Sequence, residues 1–149
     1  MRESHNSIVG MTTHLETKFE IKSWDEEPYR ELPEGQKLAR ASVTLTAATP
    51  GLTPELAAEA SLNMLLHYRA DGTSTYLSLM YVEGRLGERT GGFALHGTGT
   101  YDGTRARGEF TIVPGSGIGE LAGIEGSGAS VSTHGDYPFM PFTLDYALG

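Results

Sequence analysis

Apolar and polar residues alternate along most of this chain. From His14 to Lys22, Leu15, Thr17, Phe19 and Ile21 fall on one side, and His14, Glu16, Lys18, Glu20 and Lys22 on the other. This is the period-two pattern of a half-buried strand. A second strand runs from about Gln36 to Ala48, with Ala39, Ala41, Val43 and Leu45 set against Arg40, Ser42, Thr44 and Thr46. Between the two, Asp25 to Gly35 carries Pro28 and Pro33 among acidic residues. Proline cannot donate to a ladder, so this stretch predicts a surface loop. Pro50-Gly51 and Pro54 close the second strand.

From Pro54 to Ala70 local signals conflict. Thr53 followed by Pro54 and a run of Glu, Leu and Ala has the form of a helix start, with Thr53 as N-cap. Alternation fits as well, because Leu56, Ala58, Ala60, Leu62, Met64, Leu66 and Tyr68 share one face. The segment ends at Asp71-Gly72, a hairpin turn signal, and Thr73 to Glu83 beyond it is rich in Thr, Tyr, Leu and Val. A hairpin needs a strand on both sides, so the reading here is strand.

Gly87 to Gly92 predicts a loop. Phe93, Leu95 and Tyr101 then alternate with Ala94, His96, Thr98 and Thr100 up to a second hairpin signal at Asp102-Gly103, and Arg105 to Val113 forms the return strand. Pro114 to Gly128 is glycine-dense, with isolated Ile118, Leu121 and Ile124 as anchors; it predicts a closure and bulge element leading into a seventh strand near Gly123 to Thr133. After a loop at His134 to Pro138, Met140, Phe142, Leu144, Tyr146 and Leu148 supply an eighth. Eight strands joined by short turns predict an all-β fold, a single closed antiparallel barrel of the up-and-down, lipocalin-like kind, because closure removes exposed edges. A barrel of that size holds its own side chains or one small ligand.

Composition narrows the function classes. The 149 residues suit one domain, placed at 11–149, with Met1 to Gly10 read as a disordered tail, a vector-derived remnant or an overlong start. A formal net charge of −8 disfavours nucleic acid and anionic membrane as partners. With no cysteine there is no disulfide, thiol nucleophile or thiolate metal site, which fits a cytoplasmic protein.

Four segments then carry a likeness: Phe19 to Tyr29, Lys37 to Val43, Gly97 to Gly103 and Pro114 to Gly123 together resemble domain of unknown function 3224, a family of small bacterial proteins. That family is similar to the allene oxide cyclase barrel group, and the glycine segment resembles the corresponding stretch of allene oxide cyclases and dirigent proteins. The resemblance implies an eight-stranded barrel, homo-oligomeric, with a cavity for a lipophilic molecule. It includes acidic residues at the positions of Asn63 and Met80; both are uncharged here, so no acid or base role carries over to them.

Gly115-Ser-Gly-Ile-Gly lacks the following helix that a phosphate loop requires, and Ser116 lacks the first glycine of a nucleophile elbow. The five histidines show no converging ligand spacing, so neither metal nor cofactor is expected. His96, in mid-strand, is the candidate for proton transfer or polar anchoring, set against the plainer reading of a surface histidine. Trp24, Met64, Tyr68, Tyr76, Met80, Phe93 and Phe110 are the candidate ligand-binding residues, flat or adaptable apolar groups that either line a cavity or fill the barrel. Strand parity separates Tyr76 and Met80 from Tyr81 and Glu83, and the first pair is expected to point inward. The expected function is binding of a small apolar or amphipathic molecule, with an isomerase or cyclase as its enzymatic form. The alternative is a non-catalytic oligomeric interaction or scaffolding protein.

Overall fold

The computed structural model describes residues 12–47 and 55–148. The N-terminal tail, the Thr53-Pro54 helix signal and the Pro50-Gly51 stop lie outside them. Within them the chain forms β1 (Thr13–Glu31), β2 (Lys37–Ala47), β3 (Leu56–Tyr68), β4 (Ser74–Leu86), β5 (Arg89–Tyr101), β6 (Arg105–Ile112), the two-residue β7 (Ile118–Gly119), β8 (Ile124–Thr133) and β9 (Phe139–Leu148). The order β4-β3-β2-β1-β9-β8-β6-β5 closes through a β4–β5 pairing, with every pair antiparallel. The fold is a closed eight-stranded antiparallel barrel with β7 outside it on the edge of β5. Among the described residues no helix is long and apolar enough to cross a membrane.

The conflict over residues 54–70 is settled by the barrel. Leu56, Ala58, Ala60, Leu62, Met64 and Leu66 are buried while Glu59, Ser61, Asn63 and Leu65 face out. Such a stripe buries its apolar set only in a strand whose neighbours, β2 and β4, are both present. Tyr76 and Met80 point inward, and Tyr81 and Glu83 outward, as parity required.

Two predicted loops are strand instead. β1 continues through Pro28 to Glu31, because β2 accompanies it to Lys37↔Glu31 while its pairing with β9 stops at Glu20↔Phe139. Pro28 is tolerated where one side of the strand is unpaired and the register shifts, between Pro28 and Arg30. Beyond Glu20, β1 is therefore an edge strand held only by β2, which itself pairs with β3 along its whole length, and here the Arg40 guanidinium lies 4.7 Å from the centre of the Tyr29 ring. Arg89 to Gly92 likewise belongs to β5, paired from Leu86↔Arg89 through Glu83↔Gly92, so only Gly87 and Glu88 turn the hairpin.

Inward side chains close one half of the barrel. Leu15, Val43, Leu45, Met80, Val82, Leu86, Phe93, Leu95, Ile112 and Leu144 are all essentially inaccessible, and the crossing between β6 and β8 adds Leu121 and Ile124 to the same core. Phe110, Phe142 and Phe19 stack edge to face in succession, with ring centres 5.6 and 5.5 Å apart. Above Phe110 the interior is not filled.

Candidate functional site

The hollow half opens at the end bearing the β3–β4 and β5–β6 turns and the short 3₁₀ turn His134–Asp136. It encloses about 350 Å³ and is walled by Ile21 and Trp24 of β1, Leu62, Met64, Leu66 and Tyr68 of β3, Ser74, Tyr76 and Ser78 of β4, and Tyr101 of β5. Ala106, Gly108 and Phe110 of β6, Ser130 and Ser132 of β8, His134 and Met140 complete it. A smaller hollow of about 190 Å³ adjoins its mouth beside Tyr137 and Phe139, and open grooves lie on the outer faces, among them one of about 500 Å³ bordered by His96, Glu109 and Asp145. The interior one is sunk into the barrel behind its mouth and its wall is overwhelmingly apolar, the form that small-molecule sites take.

Local features shape the space. Gly99 faces inward on β5, and a Cβ there would meet Tyr76 Cε1 at 2.3 Å. The missing side chain thus lets the Tyr76 ring lie against the β5 backbone, with its hydroxyl donating to the Arg107 carbonyl at 3.3 Å. Burial raises the Tyr76 phenol pKa above its ordinary value.

The polar groups gather at the mouth. A register shift between Ile21 and Ser23 swaps the faces of β1, bringing Trp24 opposite the inward Val43. The Trp24 indole Nε1 then donates to Glu26 Oε1 at 3.0 Å, and the Tyr68 hydroxyl donates to the other oxygen of the same carboxylate. Glu26 thus ties the outer half of β1 to the rim. Burial, then the hydrogen bond to Glu26, raise the Tyr68 pKa far above its usual value, so the phenol stays neutral. Across the mouth, Tyr101 and His134 Nε2 share a hydrogen bond of 2.7 Å, and the Tyr101 hydroxyl also donates to the Gly103 carbonyl at 3.0 Å. A phenol has one proton; once it is given to Gly103, the oxygen can accept from an Nε2–H of His134. His134 is held by its turn, where Asp136 Oδ2 accepts from the Thr133 backbone N–H at 2.8 Å.

Of the candidate ligand-binding residues, the structure brings together Trp24, Met64, Tyr68, Tyr76 and Phe110 on this wall. Met80 and Phe93 sit deeper, in the filled half, away from the cavity. His96 is on the outer face of β5, exposed, opposite Leu79 and Thr111. His134 and the four serines, Ser74, Ser78, Ser130 and Ser132, are wall residues that the sequence reading did not single out. The serines alternate in step with buried neighbours on β4 and β8, which is the signal that could have found them. Among the described residues no group of three or more His, Asp or Glu is placed to hold a metal ion.

Fold and cavity together define a closed antiparallel eight-stranded barrel with an interior hollow open at one end. Within that class the chain belongs to the family described as protein of unknown function (DUF3224), whose profile matches residues 15–146. A solved structure of similar fold is a protein of unknown function from the same family, from Shewanella oneidensis MR-1. It is 25% identical with a TM-score of 0.70, over 93% of this chain and 98% of that one. No curated protein matches the chain. The wider likeness to allene oxide cyclases is carried by neither comparison.

Proposed function

We propose that the barrel takes up a small apolar or amphipathic molecule through its open end and holds it in the interior cavity. The observation that carries this is a hollow of about 350 Å³ in a barrel whose other half is filled to the centre. Protein interiors ordinarily pack to crystal density, and a void lined by Leu, Met and aromatic side chains forgoes stabilising contacts unless something occupies it. Trp24, Met64, Tyr68, Tyr76 and Phe110 supply the contact surface. An isomerase or cyclase acting by conformational steering is the enzymatic form of this reading: the wall would fold a flexible molecule into one shape.

N-phenyl-1-naphthylamine, a neutral probe that fluoresces in apolar surroundings, tests it. A saturable rise is expected with the wild-type protein. It should be lost in Ala106→Phe and in Ser132→Phe, which plug the hollow while keeping the circular dichroism of a β-sheet. No saturable rise with the wild-type protein, or undiminished binding by both folded plug variants, overturns the proposal.

A second reading, an oligomeric interaction protein, is favoured by a separate observation. On the outer face of β3 and β4, Leu65 (49% exposed), Leu77 (57%) and Leu79 (55%) form a patch bordered by Ser42, Asn63 and His96. An apolar patch rimmed by polar groups is the form of an association surface.

A further inference from the structure

We infer that the molecule held in the cavity carries an uncharged hydrogen-bonding oxygen, a carbonyl or a hydroxyl, at its inner end, and that Ser78 engages it. The inference rests on the binding reading above and names the chemistry of the ligand. Among the described residues the buried polar side chains are Ser74, Ser78 and Ser130, and all three line this one cavity. Alanine would leave nearly the same space without burying a hydroxyl. A buried hydroxyl is unfavourable unless it finds a partner. Ser78 Oγ has none: among the described residues it is the one buried side-chain oxygen or nitrogen without a hydrogen bond.

Its depth fixes which end of the ligand it meets. Along β4 the wall is formed by Ser74, Tyr76 and Ser78, and the next inward residue, Met80, is wholly buried in the filled half. Ser78 therefore stands at the floor, paired in register with Met64 on one side and with Gly97, which has no side chain, on the other. A serine hydroxyl turns among three staggered positions and both donates and accepts, so it can serve either a carbonyl or a hydroxyl. The described lining residues include no Asp, Glu, Lys or Arg, and His134 and Tyr101 lie at the mouth. A carboxylate or ammonium at the floor would be desolvated with no opposite charge, so the inner group is neutral.

Calorimetric titration of wild type and Ser78→Ala with 2-heptanone and with 2-methyl-1-heptene, which replaces C=O by C=CH₂ at the same shape, tests this. Ser78→Ala should weaken 2-heptanone by about 2- to 10-fold and leave 2-methyl-1-heptene unchanged or tighter. The variant should melt at or above the wild-type temperature, because an unpaired buried hydroxyl has gone. If both probes bind and Ser78→Ala treats them alike, or if the variant melts several degrees lower, the hydroxyl serves the fold and this inference fails while the binding reading stands. If neither probe binds a wild-type protein that does bind N-phenyl-1-naphthylamine, this inference fails and the binding reading stands; if none of the three binds, both fall.

Discussion

His14 stands on the outer face of β1 between two carboxylates. Nδ1 lies 2.6 Å from Asp145 Oδ1 and Nε2 lies 3.3 Å from Glu16 Oε2. Both contacts favour the imidazolium, the hydrogen bond with Asp145 first and that with Glu16 second, so the His14 pKa is raised above its usual 6.5. A raised folded-state value means that the contribution to stability is complete below the unfolded pKa and is lost as pH rises through the folded one. The groups are exposed, so the contribution is small and screened by salt. An NMR titration of the His14 ring protons should give a midpoint above 6.5 that moves back towards it in Asp145→Asn. A wild-type midpoint at or below 6.5 contradicts the pairing. Single residues are also where the sequence is hardest to read. Trp24 has the even parity of the outward residues of β1, and only the register shift after Ile21 turns it inward. His134 finds Tyr101 from 33 positions away, a contact that no local spacing announces.

The crossing from β6 to β8 shows what a glycine-dense element does in this barrel. Val113 N–H bonds to the Ala94 carbonyl, Ser116 Oγ accepts from Ala94 N–H at 3.0 Å, and Glu120 exchanges two hydrogen bonds with Thr90, all along the edge of β5. Leu121 and Ile124 plug the filled end as expected, whereas Ile118 is half exposed on β7 and anchors nothing in the core. A Cβ on Gly117 would lie 2.1 Å from the Leu121 carbonyl oxygen. Gly117→Val must therefore displace the backbone that carries Leu121, and we expect it to lower stability by about 2–4 kcal/mol in urea unfolding. Any folded variant should still bind N-phenyl-1-naphthylamine, because the crossing is at the end opposite the mouth. Binding lost at unchanged stability would make the segment part of the site. Alternation made β2, β3, β6 and β9 legible because each has both ladders and one apolar face. The outer half of β1 was hidden by Pro28, which matters only where a strand is paired on both sides.

For the molecule as a whole, the one long strand edge left among the described residues is the outer half of β1, blunted by Pro28 and the acidic Glu26, Glu27 and Glu31, so association uses a face. The outer surface of β3 and β4 offers Leu65 beside Leu77 and Leu79 beside Asn63, on strands of 13 residues each. Thirteen residues span roughly 43 Å, and four strands about 4.8 Å apart, β2 to β5, cover roughly 800 Å², the share each partner contributes to a stable interface. With a net charge of −8, copies of this chain repel each other least where acidic groups are absent, and the leucine patch, bordered by Arg40, Ser42, Asn63 and His96, is such a place. A second copy meeting it about a two-fold axis would place the same leucines against themselves. Multi-angle light scattering should then give a multiple of the 16.0 kDa chain mass for the wild-type protein and the single mass for Leu77→Glu. The Leu77 side chain points outward, away from the cavity, so the variant should keep its affinity for N-phenyl-1-naphthylamine. A wild-type protein that runs as a single chain, or a Leu77→Glu variant with unchanged mass, removes this face as the point of assembly and leaves the interior cavity as the functional surface.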